Sequence, residues 1–108
     1  MGTLSTHVLD TSLGRPAPGV SISLETLAGE PLGSGVTDAD GRLATIGPEL
    51  LAEGDYRLRF DSRAYYAASG TPAFYPEIAI AFSVADAQAH YHVPVLLNPF
   101  GYSTYRGS

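Results

Sequence analysis

Hydrophobic and polar residues alternate in short runs along most of this chain, and clusters of Gly, Pro and Asp separate the runs. Side chains on a strand point to opposite faces with period two, so such runs predict half-buried β-strands. Residues 4–10 alternate, with Leu4, Thr6 and Val8 on one face and Ser5, His7 and Leu9 on the other. A turn follows at Gly14-Arg15-Pro16-Ala17-Pro18-Gly19, where Gly and Pro punctuate the backbone. Residues 20–27 place Val20, Ile22, Leu24 and Thr26 inward, and residues 32–37 form another extended piece. Asp38-Ala39-Asp40-Gly41 is a turn, and residues 42–46 leave it as a short strand. A brief helical turn is expected over 48–53. Tyr56, Leu58 and Phe60 then share one face of a strand. Asp61 is placed to cap a short helix over 62–68, closed by Gly70 and Pro72. Strands follow over 78–84, 90–97 and 102–106, with a turn near Asp86-Ala87.

Seven or eight short strands joined by tight turns predict an all-β fold, a β-sandwich with a barrel as the lesser alternative. Pro94 sits awkwardly inside the 90–97 strand, because it cannot donate to a ladder. It requires a bulge, an edge position or an empty hydrogen-bonding slot.

Composition narrows the chemistry. The 108 residues suit one domain spanning 1–108, and 44% hydrophobic against 16% charged residues indicates a folded chain. No stretch is apolar for long enough to cross a bilayer, and the N-terminus lacks a secretory pattern, so a soluble cytoplasmic protein is expected, with no membrane partner. The net charge of −5 and six scattered Arg argue against a nucleic-acid surface. Neither Lys nor Cys occurs, which removes Schiff-base lysines, thiol nucleophiles and thiolate metal sites. His, Arg, Ser, Tyr and carboxylates remain.

His90 and His92 project from one strand face. With a third ligand they would suit a metal; otherwise they are two imidazoles beside a turn. His7 stands among hydroxyl residues, a setting typical of a hydrogen-bonded surface group. Arg42 follows Asp38 and Asp40, and by itself reads as a solvated cation pairing with a turn carboxylate. The Asp-x-Asp-Gly stretch does not place a Glu and a Gly where a calcium loop needs them, and no G-x-S-x-G setting surrounds any serine. The tail Tyr105-Arg106-Gly107-Ser108 is either frayed beyond Tyr105 or docked, and a docked end would hold a hydroxyl and a carboxylate at a defined place.

Taken together, Leu4-Ser5-Thr6-His7-Val8-Leu9-Asp10-Thr11, Asp40-Gly41-Arg42, Phe74-Tyr75-Pro76-Glu77, His90-Tyr91-His92-Val93-Pro94 and Tyr102-Ser103-Thr104-Tyr105-Arg106-Gly107-Ser108 closely resemble the 5-hydroxyisourate hydrolases, transthyretin-like enzymes of urate breakdown. The resemblance runs in order along essentially the whole chain, and the Tyr-Arg-Gly-Ser ending is its most specific mark. It implies a prealbumin-like sandwich of two four-stranded sheets with one short helix. It also implies a homotetramer, a dimer of dimers enclosing a channel, with no cofactor and no metal. The catalytic set it implies is His7, Arg42, His92 and Ser108, with Tyr105 as a further pocket wall and His90 in a supporting or surface role. Hormone-carrying transthyretins hold other residues at the catalytic positions. A binding protein without chemistry, and a metal hydrolase using His90 and His92, are the rival expectations.

Overall fold

The computed structural model describes residues 3–48 and 51–107, so Met1, Gly2, Glu49, Leu50 and Ser108 lie outside the described residues. Among the described residues, nine strands and one helix follow in chain order: β1 Thr3–Asp10, β2 Arg15–Pro16, β3 Ser21–Thr26, β4 Pro31–Val36, β5 Arg42–Leu43, β6 Gly54–Phe60, α1 Ser62–Ala67, β7 Ile78–Val84, β8 His90–Asn98 and β9 Gly101–Thr104. One sheet runs β2-β1-β8-β9 with β5 also paired to β1, and the other runs β4-β3-β6-β7. The two sheets make a β-sandwich.

The alternation read from the sequence decides which faces meet. Leu4 and Val8 of β1 and Val93, Val95 and Leu97 of β8 point inward, against Ile22, Leu24, Leu58, Phe60, Ile78 and Ile80 of the other sheet. Fully burying an aliphatic or phenyl side chain of this kind contributes roughly 1.5–3 kcal/mol, so the two inner faces dominate the stability of the sandwich. The opposite face of β1 and β8 is left for polar chemistry. Thr6 breaks the apolar pattern of the inner face, but its hydroxyl donates to the Val93 carbonyl at 2.6 Å, so nothing polar is left unpaired there.

The first sheet has five strands rather than the expected four, because the two-residue β2 and β5 both add to β1. The strand expected over 42–46 ends at Leu43, after which the chain turns and Ile46 enters the core. Among the described residues of 48–53 there is no helical turn; Leu51 is instead buried in the core. The helix forms where expected, with the Asp61 carboxylate accepting from the Ala64 N–H, and Gly70 follows it at φ +69°.

Asp10, at the inward end of β1, is 1% exposed. Its Oδ1 accepts from the Ser12 N–H and hydroxyl and from the Leu13 N–H, and its Oδ2 accepts from the Tyr65 hydroxyl at 2.8 Å. Burial pushes this carboxyl up, yet the donors outweigh it and hold the group below its ordinary value.

Pro94 sits in the middle of β8, in regular parallel register with His7 of β1. The accommodation lies on the other side. The β8–β9 ladder stops at Val95↔Thr104 and resumes in the same antiparallel register at His92↔Gly107. The empty slot therefore falls at Pro94, whose carbonyl accepts from the Thr104 hydroxyl. This is why β9 ends at Thr104 and not at Arg106, as the sequence pattern predicts: a proline offers no N–H to continue the pairing.

Candidate active site

The outward face of the first sheet brings the histidines together. β1 and β8 are parallel and pair Thr3↔His90, Ser5↔His92 and His7↔Pro94. Partners in register share a face, so the T-x-S-x-H of β1 lies beside the H-x-H-x-P of β8. All three histidines of the chain are on these two strands.

Arg42 reaches the same face through a tight approach. β5 pairs antiparallel with β1, setting Arg42 opposite His7. The turn before it is built by Asp38, whose Oδ1 accepts the N–H groups of Asp40 and Arg42. Gly41 stands at φ +72°, and a Cβ there would meet the Val8 carbonyl oxygen at 2.4 Å. Only glycine allows the turn to lie this close to β1, and the Val8 N–H accordingly donates to the Gly41 carbonyl at 2.7 Å. The expected pairing of Arg42 with a turn carboxylate is not among the ion pairs of the described residues, which join Arg57 and Arg59 to Glu25, and Arg59 to Glu77. The exposed Arg42 guanidinium is left beside the imidazoles.

The proton state of His7 follows from its partner. Its Nε2 lies 2.9 Å from the Asp40 carbonyl, and a carbonyl can only accept, so Nε2 carries the hydrogen. In the neutral ring Nδ1 then holds the lone pair. His92 is half-buried, and its Nδ1 lies 2.8 Å from the Ser5 hydroxyl. Burial first, then the charge of Arg42 and the neighbouring His7 and His90 imidazoles, hold the His92 pKa below the ordinary histidine value. This favours the neutral imidazole, the form able to accept a proton.

The chain end is docked as far as it is described. The Gly107 N–H donates to the His92 carbonyl at 2.9 Å, and a Cβ at 107 would fall 2.5 Å from His92 Cδ2. Arg106 lies over the Tyr91 ring, 4.9 Å from its centre, within the range of a cation–π contact. Ser108, predicted to be catalytic, lies outside the described residues. Tyr105, predicted as a pocket wall, is 58% exposed. It lines a groove of about 300 Å³ with Ile80, Phe82, Tyr91 and Val93 at an edge of the sandwich, and none of these is a predicted site residue.

The structure thus brings His7, Arg42 and His92 together and sets Tyr105 in a separate groove. Sequence reasoning did not single out Ser5, Thr3 or Gly107, which lie against the histidines, and the contacts of His90 suit the supporting role expected of it. Ser5 Oγ lies 2.9 Å from His90 Nε2 as well as against His92, and Thr3 Oγ1 closes on His90 Nδ1. A signal existed in the matching polar positions at i, i+2 and i+4 of the two strands, but reading it requires knowing that they are neighbours.

The two-sheet sandwich with one short helix is transthyretin-like. The chain belongs to the HIUase/Transthyretin family, whose model matches residues 4–107. The 5-hydroxyisourate hydrolase of Salmonella dublin is 45% identical, covering 97% of this chain and 80% of its own length. The structure of Klebsiella pneumoniae 5-hydroxyisourate hydrolase superposes with a TM-score of 0.91 at 44% identity, covering 98% of this chain and 99% of that one. Sea bream transthyretin in complex with thyroxine is also similar, at a TM-score of 0.87 and 31% identity, covering 96% of this chain and 93% of that one.

Proposed function

We propose that this protein hydrolyses 5-hydroxyisourate to 2-oxo-4-hydroxy-4-carboxy-5-ureidoimidazoline, a step of urate degradation. One observation carries the reading: His7, Arg42 and His92 converge on one sheet face in a chain that is 45% and 44% identical to two 5-hydroxyisourate hydrolases. The reaction opens the bond between an acyl carbon and a ring nitrogen by addition of water, with no redox step.

In this reading His92, kept neutral by burial and by neighbouring positive charge, takes a proton from the attacking water. Its Nδ1 is held by Ser5, so Nε2 is the nitrogen that exchanges the proton. Arg42, planar and permanently charged, holds the substrate carbonyls and stabilises the oxyanion as it develops. His7 presents Nδ1 to the substrate or its water, with its ring fixed by the Asp40 carbonyl. Ser108 supplies hydrogen bonds rather than a nucleophile, and the docking of Gly107 on His92 supports placing the residue that follows it in the site. Tyr105 borders the pocket as a wall in the assembled protein, which is a homotetramer, a dimer of dimers with 5-hydroxyisourate as its small-molecule partner. The protein is cytoplasmic and works without a cofactor or metal. No helix among the described residues is long and apolar enough to cross a membrane.

The test is the ultraviolet decay of freshly made 5-hydroxyisourate on the pure protein, with the spontaneous rate subtracted and with a chelator in a parallel arm. Accelerated decay indifferent to chelator is expected. Loss of activity with chelator would make this a metal hydrolase. No acceleration, with tight binding of a thyroxine-like ligand, would make it a carrier.

A further inference from the structure

Ser5 makes two contacts that a single hydroxyl proton cannot satisfy in the same way. Its Oγ lies 2.9 Å from His90 Nε2 and 2.8 Å from His92 Nδ1. A hydroxyl donates one hydrogen and accepts at its lone pairs. With both rings neutral and the Ser5 hydrogen directed to one of them, that imidazole presents a lone pair and the other presents N–H. Because Ser5 touches Nε2 of one ring and Nδ1 of the other, His90 and His92 then hold the same tautomer, both Nδ1–H or both Nε2–H. Thr3 Oγ1, against His90 Nδ1, extends the coupling to the exposed start of β1.

We propose that Thr3, His90 and Ser5 form a proton relay that sets the tautomer of His92 and carries the abstracted proton out of the site. The inference rests on the reading of His92 as the base of the hydrolytic site.

Two arrangements of protons satisfy the chain. In the first, His92 Nδ1–H donates to Ser5, Ser5 donates to His90 Nε2, and His90 Nδ1–H donates to Thr3. His92 Nε2 then holds a lone pair and can act as base. When water adds to the acyl carbon, its proton passes to His92 Nε2 as the new carbon–oxygen bond forms. His92 Nδ1–H passes to Ser5, the Ser5 proton to His90 Nε2, the His90 Nδ1–H to Thr3, and the Thr3 proton to solvent. Each group gains one proton and loses one, and the chain is left in the second arrangement. His92 stays neutral throughout and now carries N–H at Nε2. As the carbon–nitrogen bond breaks, that proton moves to the leaving ring nitrogen, and the relay draws one proton back from solvent to restore the first arrangement. One imidazole thereby serves as base and then acid without building up a positive charge beside Arg42, His7 and His90, the charged and titratable groups that face it.

Sequence position supports the assignment. Thr3, Ser5, His90 and His92 are successive outward positions of two strands in parallel register, so the pleat itself spaces the donors. Ser5 and His90 are positioning residues that act through His92. An imidazole deprived of the group that fixes its tautomer loses up to about 10⁴-fold in turnover, which sets the scale of the effect.

The experiment compares Ser5→Ala, Ser5→Thr, His90→Gln and His92→Ala in the 5-hydroxyisourate assay, with kcat and KM resolved and the rate measured in mixtures of light and heavy water. Ser5→Ala and His90→Gln are expected to lose at least about 10-fold in kcat with little change in KM. Ser5→Thr keeps a hydroxyl and is expected to recover most of the loss. The wild-type rate should curve with deuterium content, as several protons move together, and the His90→Gln rate should be linear. Wild-type kcat in both Ser5→Ala and His90→Gln, with His92→Ala inactive, overturns the relay and leaves the site intact. Full activity in His92→Ala overturns the reading of the site itself. If Ser5→Ala does not fold, the His90→Gln isotope dependence decides, and a curved dependence with wild-type kcat counts against the relay.

Discussion

Gly107 lies directly on the imidazole of His92. Its N–H donates to the His92 carbonyl at 2.9 Å, and the space a Cβ would fill is 2.5 Å from Cδ2 of the ring. The glycine of the Arg-Gly-Ser ending thus sets how closely the chain end approaches the proposed base. Gly107→Ala forces either the ring or the terminus to move. Displacement of a reacting group by about 1 Å can cost about 10²-fold in rate, so kcat is expected to fall by about that factor while the far-ultraviolet circular dichroism stays unchanged. Wild-type kcat in Gly107→Ala would show that this contact does not position the site.

Arg42 stands opposite His7 across the β1–β5 pair and contributes, after burial, to the lowered pKa of His92. Removing its charge relieves part of the penalty on the imidazolium. In Arg42→Ala the His92 pKa is expected to rise toward the ordinary histidine value, read as an upward shift in its ring-proton NMR titration. The sign for stability follows from the same linkage. Because the folded pKa of His92 is depressed, its neutral form contributes stability that is present above the unfolded value and is lost as pH falls through the folded one. Arg42→Ala narrows that gap and should flatten the acid side of the stability curve. An unchanged or downward titration shift contradicts this coupling.

His7 and His92 occupy the two sides of the proposed site, one ring fixed by the Asp40 carbonyl and the other by Ser5. Positioned acid–base groups contribute about 10²–10⁴-fold each. His7→Ala and His92→Ala are each expected to lose kcat within that range and to keep the oligomeric state of the wild type by light scattering. Full activity in either variant removes that residue from the mechanism.

The long strands were legible because burial imposes period two over six or more residues, as in β1 and β8, where the outward His7 and His92 follow at once from the inward Val8 and Val93. The two-residue β2 and β5 carry no period, so the fifth strand of the first sheet could not be read from alternation. Pro94 announced an empty slot, and the structure shows which neighbour leaves it empty. The juxtaposition of Arg42 with His7 depends on the φ of Gly41 and its approach to the Val8 carbonyl, a contact between distant residues that local pattern does not encode. Ser5 escaped notice for a related reason: its significance comes from a strand more than eighty residues away, with which it is in register. Motif resemblance supplied His7, Arg42 and His92 as a set, where residue type and spacing alone left each of them ambiguous.

Asp10 closes the other end of β1, buried at 1% exposure with its two oxygens serving the Ser12–Leu13 turn and the Tyr65 hydroxyl. Asp10→Ala leaves the Ser12, Leu13 and Tyr65 donors without their acceptor. Losing hydrogen bonds to a buried charged group costs about 2–3 kcal/mol, and at roughly 4–8 °C per kcal/mol for a domain near this size the melting temperature should fall by about 10–20 °C. The cost must also depend on pH. The folded pKa of Asp10 lies below the ordinary carboxylate value, so its contribution is full above that ordinary value and is lost as pH falls through the folded pKa. The gap in melting temperature between wild type and Asp10→Ala should therefore be widest near neutrality and narrow in strong acid. Thermal melts at pH 7 and at successively lower pH measure it directly, and a gap that stays constant would mean that the Asp10 charge is not what these donors hold.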